Sequence, residues 1–164
     1  MPKSEPVVKE LLKTIPQIGN VEFISIRPER RADPAPVKKV MADAKGLVGD
    51  HFSSTYSDKR AVTLIQAEHL DAVANILACD IDATQTRRNI VVSGINLYAL
   101  RSSKFKIGKV VLEGTGECHP CSRMEENFGP GGYNAMRGHG GITARVLEGG
   151  EIALADTVEF IENS

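Results

Sequence analysis

The sequence predicts a mainly β domain with peripheral helices, an α+β fold whose strands close, or nearly close, into a barrel. Two features predict it. About seven short apolar or alternating runs recur along the chain, bounded by glycine, proline or charged turns. Helical three-and-four spacing is confined to a few segments. Length sets the scale: 164 residues with 41% hydrophobic content bury one real core and leave no room for a second domain of ordinary size.

The elements follow in order. Ser4 is placed to cap a short helix whose stripe is Val7, Val8, Leu11, Leu12 and Ile15, ended by Pro16 and Gly19. Residues 1–19 are therefore expected to form a helical appendage packed on the main domain of residues 20–164. Val21 to Ile26 alternates as a half-buried strand, and the proline- and charge-rich segment from Arg27 to Pro36 reads as a long loop. Its Arg27, Arg30 and Arg31 read either as a solvated surface or as the rim of an anion site. Val37 to Ala42 is the next strand, Lys45 to His51 a glycine-punctuated turn, and Arg60 to Ile65 a short β run. Ala67, Leu70, Val73, Ala74 and Leu77 recur at helical steps, with Glu68 in the first turn where the dipole favours it. Cys79, just past that stripe, reads as a small core residue. Asp82 and Gln85 have the spacing of a capping box, and Ile90 to Val92 is a buried strand. Phe105 to Leu112 alternates, with a bulge or bend expected at Gly108. Thr143 to Leu147 and Thr157 to Ile161 are the final strands, separated by Glu148, Gly149 and Gly150.

Charge and cysteine usage narrow the function classes. Twenty basic against 21 acidic side chains give a formal charge of -1, which provides no broad field for nucleic acid or membrane. Small molecules and proteins are the expected partners. Three cysteines with a single CxxC pair do not make a disulfide framework, and MPKSEPVVKE has no apolar signal core. With no run long enough to cross a bilayer, a cytoplasmic location is expected.

Chemistry concentrates in two segments. From Gly114 to Glu125 a strand is expected to end and a helical turn to begin, with Cys118, His119, Pro120 and Cys121 at the junction. The unpaired amides and positive dipole end of a first helical turn favour an ionised cysteine, which serves as nucleophile, soft-metal ligand or redox partner. From Gly129 to Gly141, six of thirteen residues are glycine, which reads either as an anion-cradling nest or as a flexible loop. Arg87 and Arg88 read equally as surface ion-pairing residues or as a planar fork for phosphate or carboxylate. His119 reads as a proton relay, a neighbour steadying Cys121, or a plain loop residue, and His139 poses the same choice.

Taken in order, the motifs resemble one family. Gly46-Leu47-Val48-Gly49-Asp50, Arg60-Ala61-Val62-Thr63-Leu64, Glu68, Arg87-Arg88-Asn89 running to Ile95, Ile107-Gly108, Glu113 to Cys121, Arg137 to Ile142 and Leu147 to Gly150 carry the resemblance. Over residues 20 to 161 the chain resembles the MOSC domain, named for the C-terminal part of molybdenum cofactor sulfurases. The resemblance implies a MOSC-type β-barrel, a molybdenum-pterin cofactor and a functional, metal-binding cysteine at Cys121, directly after Pro120. On that reading Cys118 is a resolving or structural thiol. Arg87, Arg88, Asn89 and Arg137, with the backbone around Gly138, His139 and Gly140, hold the cofactor's phosphate, and His119 stands beside the catalytic sulfur. Small stand-alone members resemble reductases of N-hydroxylated compounds such as hydroxylaminopurines. No flavin, haem or iron–sulfur motif is visible, so electrons are expected from a separate donor protein. Pyridoxal phosphate, which larger relatives bind in a desulfurase domain, is not expected in this chain. One departure falls on a local turn: Leu154-Ala155-Asp156 stands where the family more often has glycine before the aspartate.

Other classes use the same sulfur. A sulfur carrier would bear a persulfide on Cys121 and exchange sulfur with a donor or acceptor protein. A thiol–disulfide oxidoreductase using Cys118 and Cys121 is disfavoured by a CxxC placed late, after many strands, and by the absence of tryptophan. A zinc site would recruit His139 or Cys79, but only one close cysteine pair is present. A module that binds cofactor and presents it to an enzyme is the remaining class.

Overall fold

The alternating apolar runs pair into a sheet that closes on itself. In the computed structural model, which describes residues 7–51 and 57–162, the strands are β1 (Gly19–Ile26), β2 (Ala35–Val37), β3 (Lys39–Asp43), β4 (Gly46–Leu47), β5 (Val62–Gln66), β6 (Ile90–Ser93), β7 (Lys104–Ile107), β8 (Val110–Glu117), β9 (Ile142–Glu148), β10 (Gly150–Ala153) and β11 (Thr157–Ile161). The helices are α1 (Val8–Leu12), α2 (Ala67–Leu77), α3 (Ser122–Phe128) and α4 (Gly132–Met136), with 3-10 turns at Ala83–Thr86 and Leu97–Leu100. Seven strands form the ring β1, β11, β7, β8, β9, β5, β6, closed where Gly19 and Asn20 pair with Val158 and Thr157. β2 extends β1, and β10, β3 and β4 form a second, smaller sheet.

Two apolar clusters explain the sequence pattern. Ile24, Leu64, Ile90, Phe105, Leu112 and Ile142 fill the barrel. Ile65, Val73, Val91, Met124 and Met136 form a second cluster with residues of α2, α3 and α4. In β6, Ile90 and Val92 belong to the first cluster and Val91 to the second, so the run is apolar without alternation because both faces are covered.

β5 and β6 run parallel, and α2 makes the crossover between them. Gln66 ends β5 and caps α2. Leu64 pairs with Ile142 at the start of β9, and Ile142 also pairs with Glu117 at the end of β8. One rim of the barrel therefore gathers the end of β5, the start of α2, the loop after β8 and the loop before β9.

Several expectations need correction. Ser4 lies outside the described residues. The α1 stripe does not pack on the body, since Val8 and Leu12 are 69% and 68% exposed, although Ile15 does reach the barrel core. The long loop ends early, because Ala35 and Pro36 pair with Ile26 and Ser25 as β2. Phe105 to Leu112 is a tight hairpin rather than one bent strand: Ile107 faces Val110, and Gly108 turns at φ +58. A strand was missed after Gly149, where β10 pairs with β3. Cys79 is exposed, because α2 ends at the left-handed Ala78 and the chain leaves the core there. Ala155 adopts φ +71, so the turn keeps the backbone shape that the family's glycine would give.

Candidate functional site

The loop after β8 sends its two thiols in different directions. The Cys118 amide donates to the Gly141 carbonyl at 2.9 Å, and Cys118 is packed at 3% exposure. Cys121 sits at the N-cap of α3 in extended conformation. Its carbonyl accepts from the Met124 amide at 3.0 Å, while its side chain makes no capping bond and is exposed. Both thiols are free. The inward Cys118 suits a structural role and the outward Cys121 is open to reagents, metals and partners.

Arg88 is 7% exposed and spends its fork inside the protein. Its Nε donates to the Gly140 carbonyl at 2.8 Å, Nη1 to Thr86 O at 3.0 Å, and Nη2 to Cys118 O at 3.3 Å and His119 O at 3.4 Å. A single cation thus ties the CxxC loop to the loop before β9. Gly140 allows this approach, because an added Cβ there would overlap the Cys118 carbonyl and press on the Arg88 guanidinium. Asn89 is likewise internal: its Oδ1 accepts from the Thr63 amide at 3.0 Å and its Nδ2 donates to Ser25 O at 3.2 Å, tying β5 to β1. The expected role of both residues as phosphate ligands meets side chains already occupied by protein partners.

Arg87 is the one of the three motif residues whose charge feels the open sulfur. It adopts φ +59, and its Nη2 donates to Ala32 O at 3.1 Å. Burial first, then the guanidinium groups of Arg123 and Arg27, lower its pKa from the ordinary arginine value, while Asp33 and the Cys121 sulfur favour its charge. Arg27 and Arg123 each face a carboxylate as well, Arg27 Nε lying 3.8 Å from Asp50 and Arg123 Nε 3.9 Å from Glu126. Arg30 and Arg31 are exposed. Arg137 follows α4 on its outer side, where Nη1 donates to Asn134 Oδ1 at 3.3 Å, and it does not line the crevice described next.

On the same rim, a crevice with about 30 Å³ of space is lined by Gln66, His69, Glu117, His119, Gly138 and Gly140 among others. The amides of Gly138 and Gly140 donate to no described residue. The rest of the glycine-rich segment is neither a nest nor a floppy loop: α4 forms within it, and the His139 amide donates to Met136 O at 2.8 Å. His139 Nδ1 lies 2.9 Å from Ala135 O, and its ring meets that of His69 edge to face at 5.1 Å. His119 stands at the mouth with its side chain 77% exposed, 3.9 Å from Glu117. Glu117 also borders a larger cleft of about 470 Å³, lined by Lys59, Arg60, Gly116 and Thr143.

His69, Gln66, Tyr98 and Glu117 were missed as site residues. A signal for the first two did exist, because a parallel β–α–β unit places the start of its helix at the carboxyl end of the strand, where ligands bind. Among the described residues no cluster of three or more His, Cys, Asp or Glu could hold a metal ion, so a protein-only zinc cage has no support here. A single outward cysteine beside cationic groups fits a metal that brings its other donors with it.

Comparison with known proteins follows this geometry. No curated protein matches the sequence. Among solved structures, the YuaD protein of Bacillus subtilis superposes with a TM-score of 0.78 at 18% identity, covering 92% of this chain and 100% of that one. YiiM from Geobacillus stearothermophilus gives 0.73 at 17% identity over 88% of this chain and 75% of that one, and YiiM from Escherichia coli 0.66 at 15% over 88% and 71%. At such identities these likenesses show the shared fold. The family model of the MOSC domain matches residues 48–159, from the turn before β5 into β11, and by that match the chain belongs to the MOSC domain family.

Proposed function

We propose that this MOSC protein holds a molybdenum-pterin cofactor through Cys121 and reduces N-hydroxylated compounds to amines. MOSC domains are associated in general with the molybdenum cofactor. The observation that carries the reading is the outward, uncapped Cys121, which favours the charge on Arg87, on a loop that Arg88 ties to the segment where the Gly138 and Gly140 amides donate to no described residue. When bound, the group supplies two-electron oxygen-atom transfer within a sulfur-rich shell.

The chain's own residues divide the work. Cys121 supplies a sulfur ligand, and Arg88 holds the loop that carries it. Arg87, with Arg27 and Arg123 close by, offers positive charge to an anionic group. Arg137 remains a candidate for the cofactor's outer edge. The cleft between Lys59, Arg60 and the β8–β9 edge, about 470 Å³, has room for a flat ring system, whereas the crevice, about 30 Å³, is far smaller. A donor protein supplies the two electrons of each turnover.

The test is molybdenum and pterin analysis of protein made in a cell competent for cofactor synthesis, beside Cys121→Ser. Near-stoichiometric metal in the parent and its loss in the variant are expected. The exposure of Cys121 also favours the sulfur-carrier reading, since a protein partner can reach it. A persulfide on Cys121 by mass spectrometry, without molybdenum, would replace the reductase reading with that one.

A further inference from the structure

The crevice wall holds one imidazole, with a second packed against it, a pair that the sequence reading did not connect. His69 comes from the first turn of α2 and lines the crevice, and His139 follows α4 and touches His69 edge to face at 5.1 Å. The Ala135 carbonyl, 2.9 Å from His139 Nδ1, can only accept, so His139 keeps a proton on Nδ1 and leaves Nε2 as its exchanging nitrogen. A charge on His139 at this separation disfavours one on His69. Burial and then His139 lower the His69 pKa, and Glu68 opposes them. The other titratable groups on the crevice are Glu117, His119, Cys118 and Tyr98.

The crevice is the smaller of the two openings on this rim, about 30 Å³ beside the cleft of about 470 Å³, and is large enough to take a water-sized oxygen. Its lining includes Gly138 and Gly140, whose amides donate to no described residue. Pro120 lines it too, and the Cα of Cys121 is one peptide unit away, about 3.8 Å. The crevice is thus adjacent in the chain to the residue that carries the sulfur, and Glu117 joins it to the larger cleft.

We propose that His69 and His139 form a coupled pair that holds one mobile proton in the crevice wall and delivers it to the oxygen leaving an N-hydroxylated substrate. This rests on the reductase reading. In the balanced step the N–O bond breaks, two electrons arrive from the donor protein, and the oxygen departs as water. The departing hydroxyl takes one proton from the pair and leaves as water, the nitrogen takes the second proton from solvent to become the amine, and the pair is reloaded through the crevice mouth.

Proton NMR of the full chain, which has four histidines, follows the imidazole C–H signals with pH in the parent, His69→Gln and His139→Gln. Coupling predicts that the His69 titration moves to higher pH when His139 is replaced. The kinetic arm measures kcat and KM of metal-loaded protein with dithionite and a hydroxylaminopurine over roughly pH 5 to 8. His69→Gln is expected to lower kcat about 100-fold and to remove the histidine limb of the pH profile, with KM, molybdenum content and melting temperature unchanged. A His69 titration indifferent to residue 139 overturns the pair. Parental kcat and pH profile in His69→Gln overturn the delivery. Failure of the reductase reading looks different: metal-loaded parent protein reduces nothing while the NMR coupling persists, which supports the pair as a proton-holding site and removes the substrate.

Discussion

At the scale of single residues, the adjacent arginines show how similar side chains take different tasks. Arg87 is turned by its left-handed backbone towards Ala32, whereas Arg88 is buried among carbonyls from residues 30 and 52 positions further on. Arg88→Met leaves those carbonyls without their donor in a closed space, and a loss of about 3 kcal/mol is expected in urea unfolding. Molybdenum content should fall with it, because the loop carrying Cys121 loses its tie, and Arg88→Lys should recover only part of either quantity. The Arg-Arg-Asn motif places two of its three side chains inside the protein, which the sequence reading did not foresee. A guanidinium that grips phosphate and one that grips four carbonyls ask for the same residue, and the carbonyls come from segments that only the fold brings near. Cys121 was legible because its neighbours in sequence decide its setting. His69 was not, since on α2 it is one polar residue among several and its partner arrives from seventy positions away.

Local signals served well wherever an element is made by its own residues. The capping box at Asp82 forms as spaced: Asp82 Oδ1 accepts from the Thr84 amide at 2.8 Å and Gln85 Oε1 from the Asp82 amide at 2.7 Å. The Thr84 hydroxyl first, and its amide second, hold the Asp82 carboxyl below its ordinary pKa. A carboxyl depressed on folding contributes stability that is complete above its unfolded pKa and disappears as pH falls through the folded value. Asp82→Ala is therefore expected to cost about 1 kcal/mol near pH 7, and the difference from the parent should shrink as pH falls through the lowered folded-state pKa of Asp82, in urea titrations across pH. Signals failed where a partner decides the element. β10 exists because β3 offers it an edge, and the strand assumed to bend at Gly108 turns back because β7 and β8 pair with each other. Apolar periodicity alone does not tell α1 that its stripe lacks a surface to cover.

For the molecule as a whole, the ring of seven strands sets what can be removed. α1 buries none of its residues, so a chain beginning at Thr14 is expected to melt within about 2 °C of the parent by calorimetry. A larger drop would mean that the helix contributes contacts to stability. The barrel class was readable from spacing because closing a sheet is the general way to satisfy many short strands with few helices. Strand order was not, because no residue states its neighbour: β5 sits between β9 and β6, and the parallel pair hides within an otherwise antiparallel ring. The family match begins at Val48, yet β1 lies ahead of it and is part of the wall.

The seam between β1 and β11 joins the first strand of the ring to the last. A ribosome builds this chain from one end, so the opening strand emerges long before the strand that must lie against it. Until then the nascent sheet exposes a bare margin of amide and carbonyl groups to the crowded cell, a template for mispairing. Burial of the barrel interior is thus postponed until β11 has been made, and a message cut short before Thr157 yields an open sheet with an apolar face.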